Sequence, residues 1–269
     1  MPLVSLKTLL CLAAVLAVAP LNAAVFFSDT FDSGIGSWVG ATGVTASLNT
    51  SNVLGTGNSL NGTTGNNSVN VLALGFTSQT LSTVGDSLTV AFDYRWSGAT
   101  AGATDRVPAF GLYNSNATGI YTDDVGYNVQ VITSSVKLQR ETGTDNTALA
   151  GNDDVSMANA SAAYVYSAVS VVRFTFTLER VLTGLKLTTT LTPTGASTPD
   201  VTLTTIDTSP LTFTYDEFLL RSRATSYYLD NVSVDFTASA VPEPASAASI
   251  AGLVALGLIA YRRKSRTSV

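Results

Sequence analysis

The side chains able to do chemistry here are few. The chain has 269 residues, no His and one Cys. The missing His excludes Ser-His-Asp and Cys-His nucleophilic catalysis and every metal site that needs imidazole. Cys11 lies in a segment assigned below to removal on export, which leaves neither thiol chemistry nor a disulfide. Carboxylates, Lys, Tyr and Ser remain. Tyr113, Asn114, Tyr121, Asp123 and Tyr127 combine aromatic rings with amide and carboxylate groups in one stretch. That mixture suits sugars, whose rings stack on aromatics while their hydroxyls seek polar partners. The acidic pairs Asp123-Asp124 and Asp153-Asp154 lack the spacing of a calcium loop and read as solvated loop charge. Glycoside hydrolysis needs two carboxyls across one bond. Glu141, Glu179 and Glu217 are isolated, and an extended Asp216-Glu217 would point its side chains to opposite faces of a strand.

These residues sit among elements that read as strands. Leu88, Val90, Phe92, Tyr94 and Trp96 alternate with Thr89, Ala91, Asp93 and Arg95, the period-two pattern of a half-buried strand. The same alternation marks Val172–Leu178, Leu185–Leu191, Val129–Val131, Val136–Leu138, Val201–Leu203, Leu211–Phe213–Tyr215 and Val232–Phe236. Thr and Val dominate these runs, and β-branching favours a pleated sheet. Turn residues punctuate them at Gly85-Asp86, Thr183-Gly184 and Ser209-Pro210. No amphipathic helix of three turns is legible between residues 25 and 240. The expected fold is all-β, a two-sheet antiparallel jelly-roll sandwich over residues 25–238. The stretch from Asn49 to Asn70, rich in Asn, Gly, Ser and Thr, reads as a loop.

The two ends read as addresses. Residues 1–24 place Lys7 before an apolar run from Leu9 to Ala19, then Pro20 and the small residues Ala23 and Ala24. That is the order of a secretory signal peptide, with cleavage near residue 23 or 24. Residues 239–269 carry Pro242-Glu243-Pro244, then an apolar stretch expected to form a transmembrane helix over about 245–261. Arg262, Arg263 and Lys264 follow. Basic residues just beyond such a helix stay on the cytoplasmic side. Residues 25–240 carry 9 Lys+Arg against 18 Asp+Glu, so the overall −5 conceals a −9 domain. An acidic domain without basic clusters argues against a nucleic-acid partner.

The Pro-Glu-Pro motif, apolar helix and Arg-Arg-Lys cluster, in that order at the C-terminal end, resemble the PEP-CTERM sorting signal. The resemblance implies recognition by exosortase, a membrane protease-transpeptidase of Gram-negative bacteria that make exopolysaccharide. It implies an inner-membrane stage followed by release to the cell surface or matrix.

A second resemblance spans most of residues 25–238. SDTFDSGIGSW, DSLTVAFDYRWSG, FGLYNS, GYNVQVITSSVKLQRETG, FTYDEFLLRSR and YYLDNVSVDF follow one another as in concanavalin A-like (laminin-G-like) jelly rolls. The two end pieces also resemble carbohydrate-binding jelly rolls. That likeness implies a structural calcium held where the first and last strands meet, at Asp29, Asp32 and Asp230. Catalytic members of the concanavalin A-like group carry an E-x-D-x-E strand, which this chain lacks. The expectation is a non-enzymatic exported protein that associates with extracellular polysaccharide. A secreted glycosidase or lyase and a purely structural envelope component are the alternatives.

Overall fold

The computed structural model describes residues 23–41, 44–55, 57–64, 70–96, 108–116, 123–132, 135–143, 149, 154–161, 171–194, 200–222 and 226–239, with 254, 256 and 257. Ala23–Ala238 form one compact unit. Its strands are β1 (Ala23–Asp29), β2 (Val39–Ala41), β3 (Val44–Asn49), β4 (Ser59–Thr64), β5 (Asn70–Thr80), β6 (Ser87–Trp96), β7 (Ala109–Asn114) and β8 (Val125–Ile132). They continue with β9 (Ser135–Glu141), β10 (Val155–Ser161), β11 (Val171–Val181), β12 (Gly184–Pro193), β13 (Val201–Asp207), β14 (Thr214–Ser222) and β15 (Ser226–Thr237).

Two antiparallel sheets result. One runs β13-β12-β11-β6-β15-β4-β3, with β1 added on β15; the other runs β10-β9-β8-β7-β14-β5-β2. Alternation dictates which faces meet. β6 pairs β11 with Phe92 opposite Phe174 and Val90 opposite Phe176, and these side chains are buried. The second sheet contributes Phe110, Leu112, Phe218 and Leu220 to the same core. Phe92 joins the layers, with its ring centroid 5.0 Å from Phe110, 5.3 Å from Phe174 and 5.5 Å from Phe218. Offset and edge-on contacts at these spacings are the favoured aromatic geometry. On the outer face of β12 and β13, Thr188 meets Thr204 and Thr190 meets Thr202, each at 3.3 Å. The Thr-rich runs therefore form a solvent-side hydroxyl ladder.

Three departures from the sequence reading have physical causes. The Asn49–Asn70 stretch contains β4, whose residues Ser59–Thr64 pair with both β3 and β15. SLNGTT has no apolar alternation because the ring of Tyr227 covers Gly62, where a Cβ would collide with it. β5 has a run of apolar residues, since Leu72 and Leu74 face the main core while Val71 and Ala73 are buried on the other side. Leu211 and Phe213 precede β14 rather than lying in it. Phe213 instead lies under the Arg180 guanidinium, 4.2 Å from its centroid.

The expected signal peptide falls, up to Asn22, outside the described residues. β1 opens at Ala23, so cleavage at residue 23 or 24 would trim only its first positions. Pro242, Glu243, Pro244, Arg262, Arg263 and Lys264 lie outside the described residues. Of the expected helix over 245–261, Val254, Leu256 and Gly257 are described and helical.

Candidate functional site

The Tyr113-to-Tyr127 cluster divides between core and loop. Tyr113 projects from β7 onto the outer face of the second sheet. It is fully buried, and its hydroxyl donates to Glu141 at 2.9 Å. Its ring lies against Gly126, where a Cβ would come 2.7 Å from Cδ1. Tyr127 points the other way, into the main core, and donates to Asp207 at 2.8 Å. Burial first, then the carboxylates of Glu141 and Asp154 for Tyr113 and of Asp207 for Tyr127, pushes both phenols up. A ring with no exposed face cannot stack on a sugar, which corrects the expectation for Tyr113 and Tyr127. Asn114 and Asp123 make loop contacts: Asn114 Oδ1 accepts from the Asn116 amide at 3.0 Å, and the Asp123 carbonyl accepts from Asn116 Nδ2 at 3.0 Å. Tyr121 lies outside the described residues.

Asp29, Asp32 and Asp230 do gather where β1 meets β15. Asp230 is buried beside a register shift in β15, and its carboxyl is pushed up to about 6. Burial is the main cause, opposed by the Asn231 amide; the negative fields of Asp93, Asp32 and Asp29 add to the rise. Their oxygens are nonetheless occupied by protein donors. Asp29 accepts from the Phe31 amide at 2.7 Å and from Trp38 Nε1 at 3.0 Å. Asp32 accepts from Thr30 at 3.0 Å and from the Asn58 amide at 3.3 Å. Asp230 accepts from the Asn231 amide at 2.7 Å. Among the described residues, no group of three carboxylate, His or Cys side chains is placed to hold a metal ion. Calcium takes six or more converging oxygens; those of Asp29 and Asp32 accept from protein donors as distant in the chain as Trp38 and Asn58.

Two acids dismissed at the sequence level come together. Asp124, just before β8, is buried rather than solvated. A register shift in β14 between Tyr215 and Glu217 separates the roles of its adjacent acids. Asp216 accepts from the Ser115 amide at 2.8 Å and from Ser115 Oγ at 3.2 Å. Glu217 faces Asp124. No N–H or hydroxyl of the described protein reaches Asp124 Oδ1, Asp124 Oδ2 or Glu217 Oε2. The hydrogen bond open to them is a proton shared between the two carboxyls. Burial pushes Glu217 up to about 8, with the Asp124 charge, the hydrogen bond to Asp124 and the Asp216 charge adding to it. Burial likewise pushes Asp124 up to about 6; the bond from Glu217 opposes this, and Asp123 and Asp216 reinforce it. Every neighbouring charge named in these balances is negative.

Asp216, the chain neighbour of Glu217, lines an open cleft of about 630 Å³. It is lined by Phe26 and Phe27 of β1, by Gly75, Phe76 and Thr77 of β5, and by Ser115 and Asp216. Phe26 and Phe76 meet edge to face at 5.4 Å. Gly75 is paired with Glu217, so both positions present to the same face of the sheet. A Cβ at Gly75 would meet nothing within 4 Å.

Elsewhere on the outer face of this sheet, Leu149 joins Val71, Ala73, Ala109, Tyr113 and Leu219 in a second apolar cluster. Its amide donates to Glu141 at 3.1 Å and its carbonyl accepts from Arg221.

No protein-family model matches the chain, and no curated protein matches it. Solved structures do. Basic winged bean lectin in complex with Tn-antigen is 10% identical, with 81% of this chain and 99% of the lectin covered at a TM-score of 0.53. Peanut lectin with a nine-residue peptide is 11% identical, covering 82% and 98% at 0.50. A Bacillus subtilis protein of galectin-like fold is 10% identical, covering 80% and 98% at 0.50. The fold is a two-sheet antiparallel jelly-roll sandwich like those of these structures. Identities this low carry the fold and nothing finer.

Proposed function

We propose that this chain is an exported, non-enzymatic surface or matrix protein whose jelly roll binds extracellular polysaccharide at the Phe26–Phe76 cleft. The observation that carries this reading is the cleft itself. Its lining joins the rings of Phe26, Phe27 and Phe76 to the Asp216 carboxylate and the Ser115 hydroxyl, and apolar faces with a few polar groups are what a sugar ring needs. The lectin-like fold agrees with it. PEP-CTERM sorting by exosortase, with passage through the inner membrane, supplies the address in this reading and rests on the C-terminal motif alone.

The close acid pair does not favour the hydrolase alternative. Glycosidases set their two carboxyls about 5–9.5 Å apart with the anomeric carbon between them. Asp124 and Glu217 hydrogen-bond to one another, which leaves no space for a sugar between them.

The test is retention of the purified chain on immobilised polysaccharides, comparing wild type with Phe76→Ala. We expect retention of the wild type, a loss of about tenfold in affinity for the variant, consistent with one aromatic contact of about 1.5 kcal/mol, and no release of reducing ends. Equal retention of both proteins would remove the cleft from the reading, and steady sugar release would replace it with the enzyme.

A further inference from the structure

Exposed apolar side chains gather at one end of the sandwich. Thr237, the last residue of β15, pairs with Ser87 at the start of β6 and with Ala23 at the start of β1. Ser87 in turn pairs with Glu179 near the end of β11. The connections joining β5 to β6, β11 to β12 and β13 to β14 turn just beyond that level. Hydrogen bonds tie them together: the Gly85 amide donates to the Arg180 carbonyl at 2.8 Å, the Leu81 amide to the Phe213 carbonyl at 2.9 Å, and Arg180 Nη1 to the Leu81 carbonyl at 2.8 Å. Each connection presents an apolar side chain to solvent. Leu182 is 88% exposed, and Val84 and Leu211 are 49% exposed each. Val25 and Ile206, on the adjoining ends of β1 and β13, are exposed as well. Turns are normally filled by Gly, Asn, Asp and Ser. Leu and Val left in water there do nothing for the fold, and a group of them marks a contact surface.

The charged groups of these turns already have partners within the protein. Glu179 pairs with Lys186 at 2.9 Å, and Asp207 with Arg140 at 3.1 Å. Asp86 accepts from the Thr83 amide at 2.7 Å, and Arg180 lies 4.2 Å from the centre of the Phe213 ring. Contact with an apolar surface would therefore not strip a lone carboxylate of its water.

We propose that this end of the sandwich rests on the membrane, on the face opposite the basic tail, with Leu182, Val84 and Leu211 entering the boundary between headgroups and acyl chains. The order of the chain selects the bilayer as the occupant. Residues 238–244 alone separate Thr237 from the apolar stretch 245–261, and the path from Thr237 to Ala245 spans at most about 28 Å when fully extended. The proposal rests on the reading of that stretch as a membrane-spanning helix and adds the surface by which the folded domain meets lipid. A tether this short keeps the turns at high effective concentration beside the bilayer, so a few apolar side chains suffice. Neutral lipid suits the contact, because an acidic domain is repelled by anionic headgroups.

The experiment reconstitutes the full chain, in a Cys11→Ser background, into phosphatidylcholine vesicles. An environment-sensitive fluorophore is attached to Leu182→Cys or, as the control, to Leu48→Cys. Leu48 is also exposed but belongs to the opposite end of its sheet, since its partner Leu60 pairs with Leu229 and Leu229 with Tyr94. We expect nitroxide-labelled lipid to quench the label at 182 about threefold more than the label at 48, as for a side chain inserted at the interface. Val84→Asp with Leu211→Asp changes two solvent-facing turn residues. That double variant should keep its circular dichroism spectrum and lower the quenching at 182 to the level at 48. Undiminished quenching in it would mean that the tether alone holds the label near lipid, and would overturn the proposal. Vesicle flotation separates the two readings. A chain that floats with equal, weak quenching at both positions would overturn the docking and leave the anchor standing. A chain that does not float would overturn both. Energy transfer between copies labelled at Leu182→Cys would put a second chain on this surface in place of lipid and likewise overturn the proposal.

Discussion

Glu217→Gln is the perturbation that most directly probes the buried acid pair. Glu217 has its carboxyl raised from 4.5 to about 8, chiefly by burial and next by the charge of Asp124. A raised carboxyl means that the folded chain holds its proton more tightly than the unfolded chain does. Between about pH 4.5 and 8 the unfolded state has released the proton while the folded state keeps it, so stability falls as pH climbs through that window and levels off above it. The full displacement is equivalent to about 5 kcal/mol. Sharing of the proton with Asp124 and residual solvent access reduce this to about 2 kcal/mol. A glutamine has the same shape, carries no charge, and can donate its amide N–H to Asp124 as the protonated acid does. At pH 5.5 the variant should match the wild type within about 0.5 kcal/mol. At pH 8.5 it should be more stable by about 2 kcal/mol, a gain of roughly 4–8 °C in melting temperature for a domain of this size. Calorimetric or denaturant unfolding of both proteins at half-unit steps from pH 5 to 9 reads this directly. Stability curves that run parallel across the range, with the variant weaker throughout, would refute the shared-proton account.

Four further outcomes are expected. Phe92→Ala removes the ring that joins the layers through Phe110, Phe174 and Phe218 and should cost about 3–5 kcal/mol in chemical unfolding. Asp207→Ala strips the acceptor shared by the Tyr127 hydroxyl at 2.8 Å, Arg140 Nη1 at 3.1 Å and the Ser209 amide at 2.9 Å, for a loss of about 3 kcal/mol by the same assay. Gly184→Ala combines a φ of +146° with a Cβ directed into the Asp207 carbonyl. It should lower the melting temperature by at least several degrees, about 2 kcal/mol. Replacing Pro242 and Pro244 together by Ala should leave the chain uncleaved in membrane fractions on immunoblots, whereas normal release would remove exosortase from the reading.

Much of the sandwich was legible from residue order, and the reason is solvent. β11 and β12 each keep one face nearer water, so their burial alternates residue by residue, β6 and β15 follow the same rhythm with one break each, and the sequence alternates too. Legibility fails where both faces are covered or where a neighbour fills in for a missing side chain. β5 is buried on both sides between Val71 and Leu74, and β4 has its Gly62 roofed by Tyr227. The same limit governs the candidate site. Tyr113 and Tyr127 have opposite orientations on neighbouring strands, and nothing in a stretch of mixed rings and amides says that both are sealed in.

By itself the amino-acid sequence determined the chemical repertoire and the class of fold. A chain without His, with its one Cys in the leader-like segment, is confined to carboxylate, amide, hydroxyl and aromatic chemistry, and Thr- and Val-rich alternation admits little but stacked antiparallel sheets. Only the tertiary structure decided which carboxylates matter. Asp29, Asp32 and Asp230, at the joined first and last strands, accept from Phe31, Trp38, Thr30, Asn58 and Asn231. Asp124 and Glu217, far apart in the chain, are brought face to face because β14 lies beside β7 and β7 beside β8, with a register shift that separates Glu217 from Asp216. Burial and proximity are properties of the packed sheet, and they convert two acids far apart in the chain into a hydrogen-bonded pair.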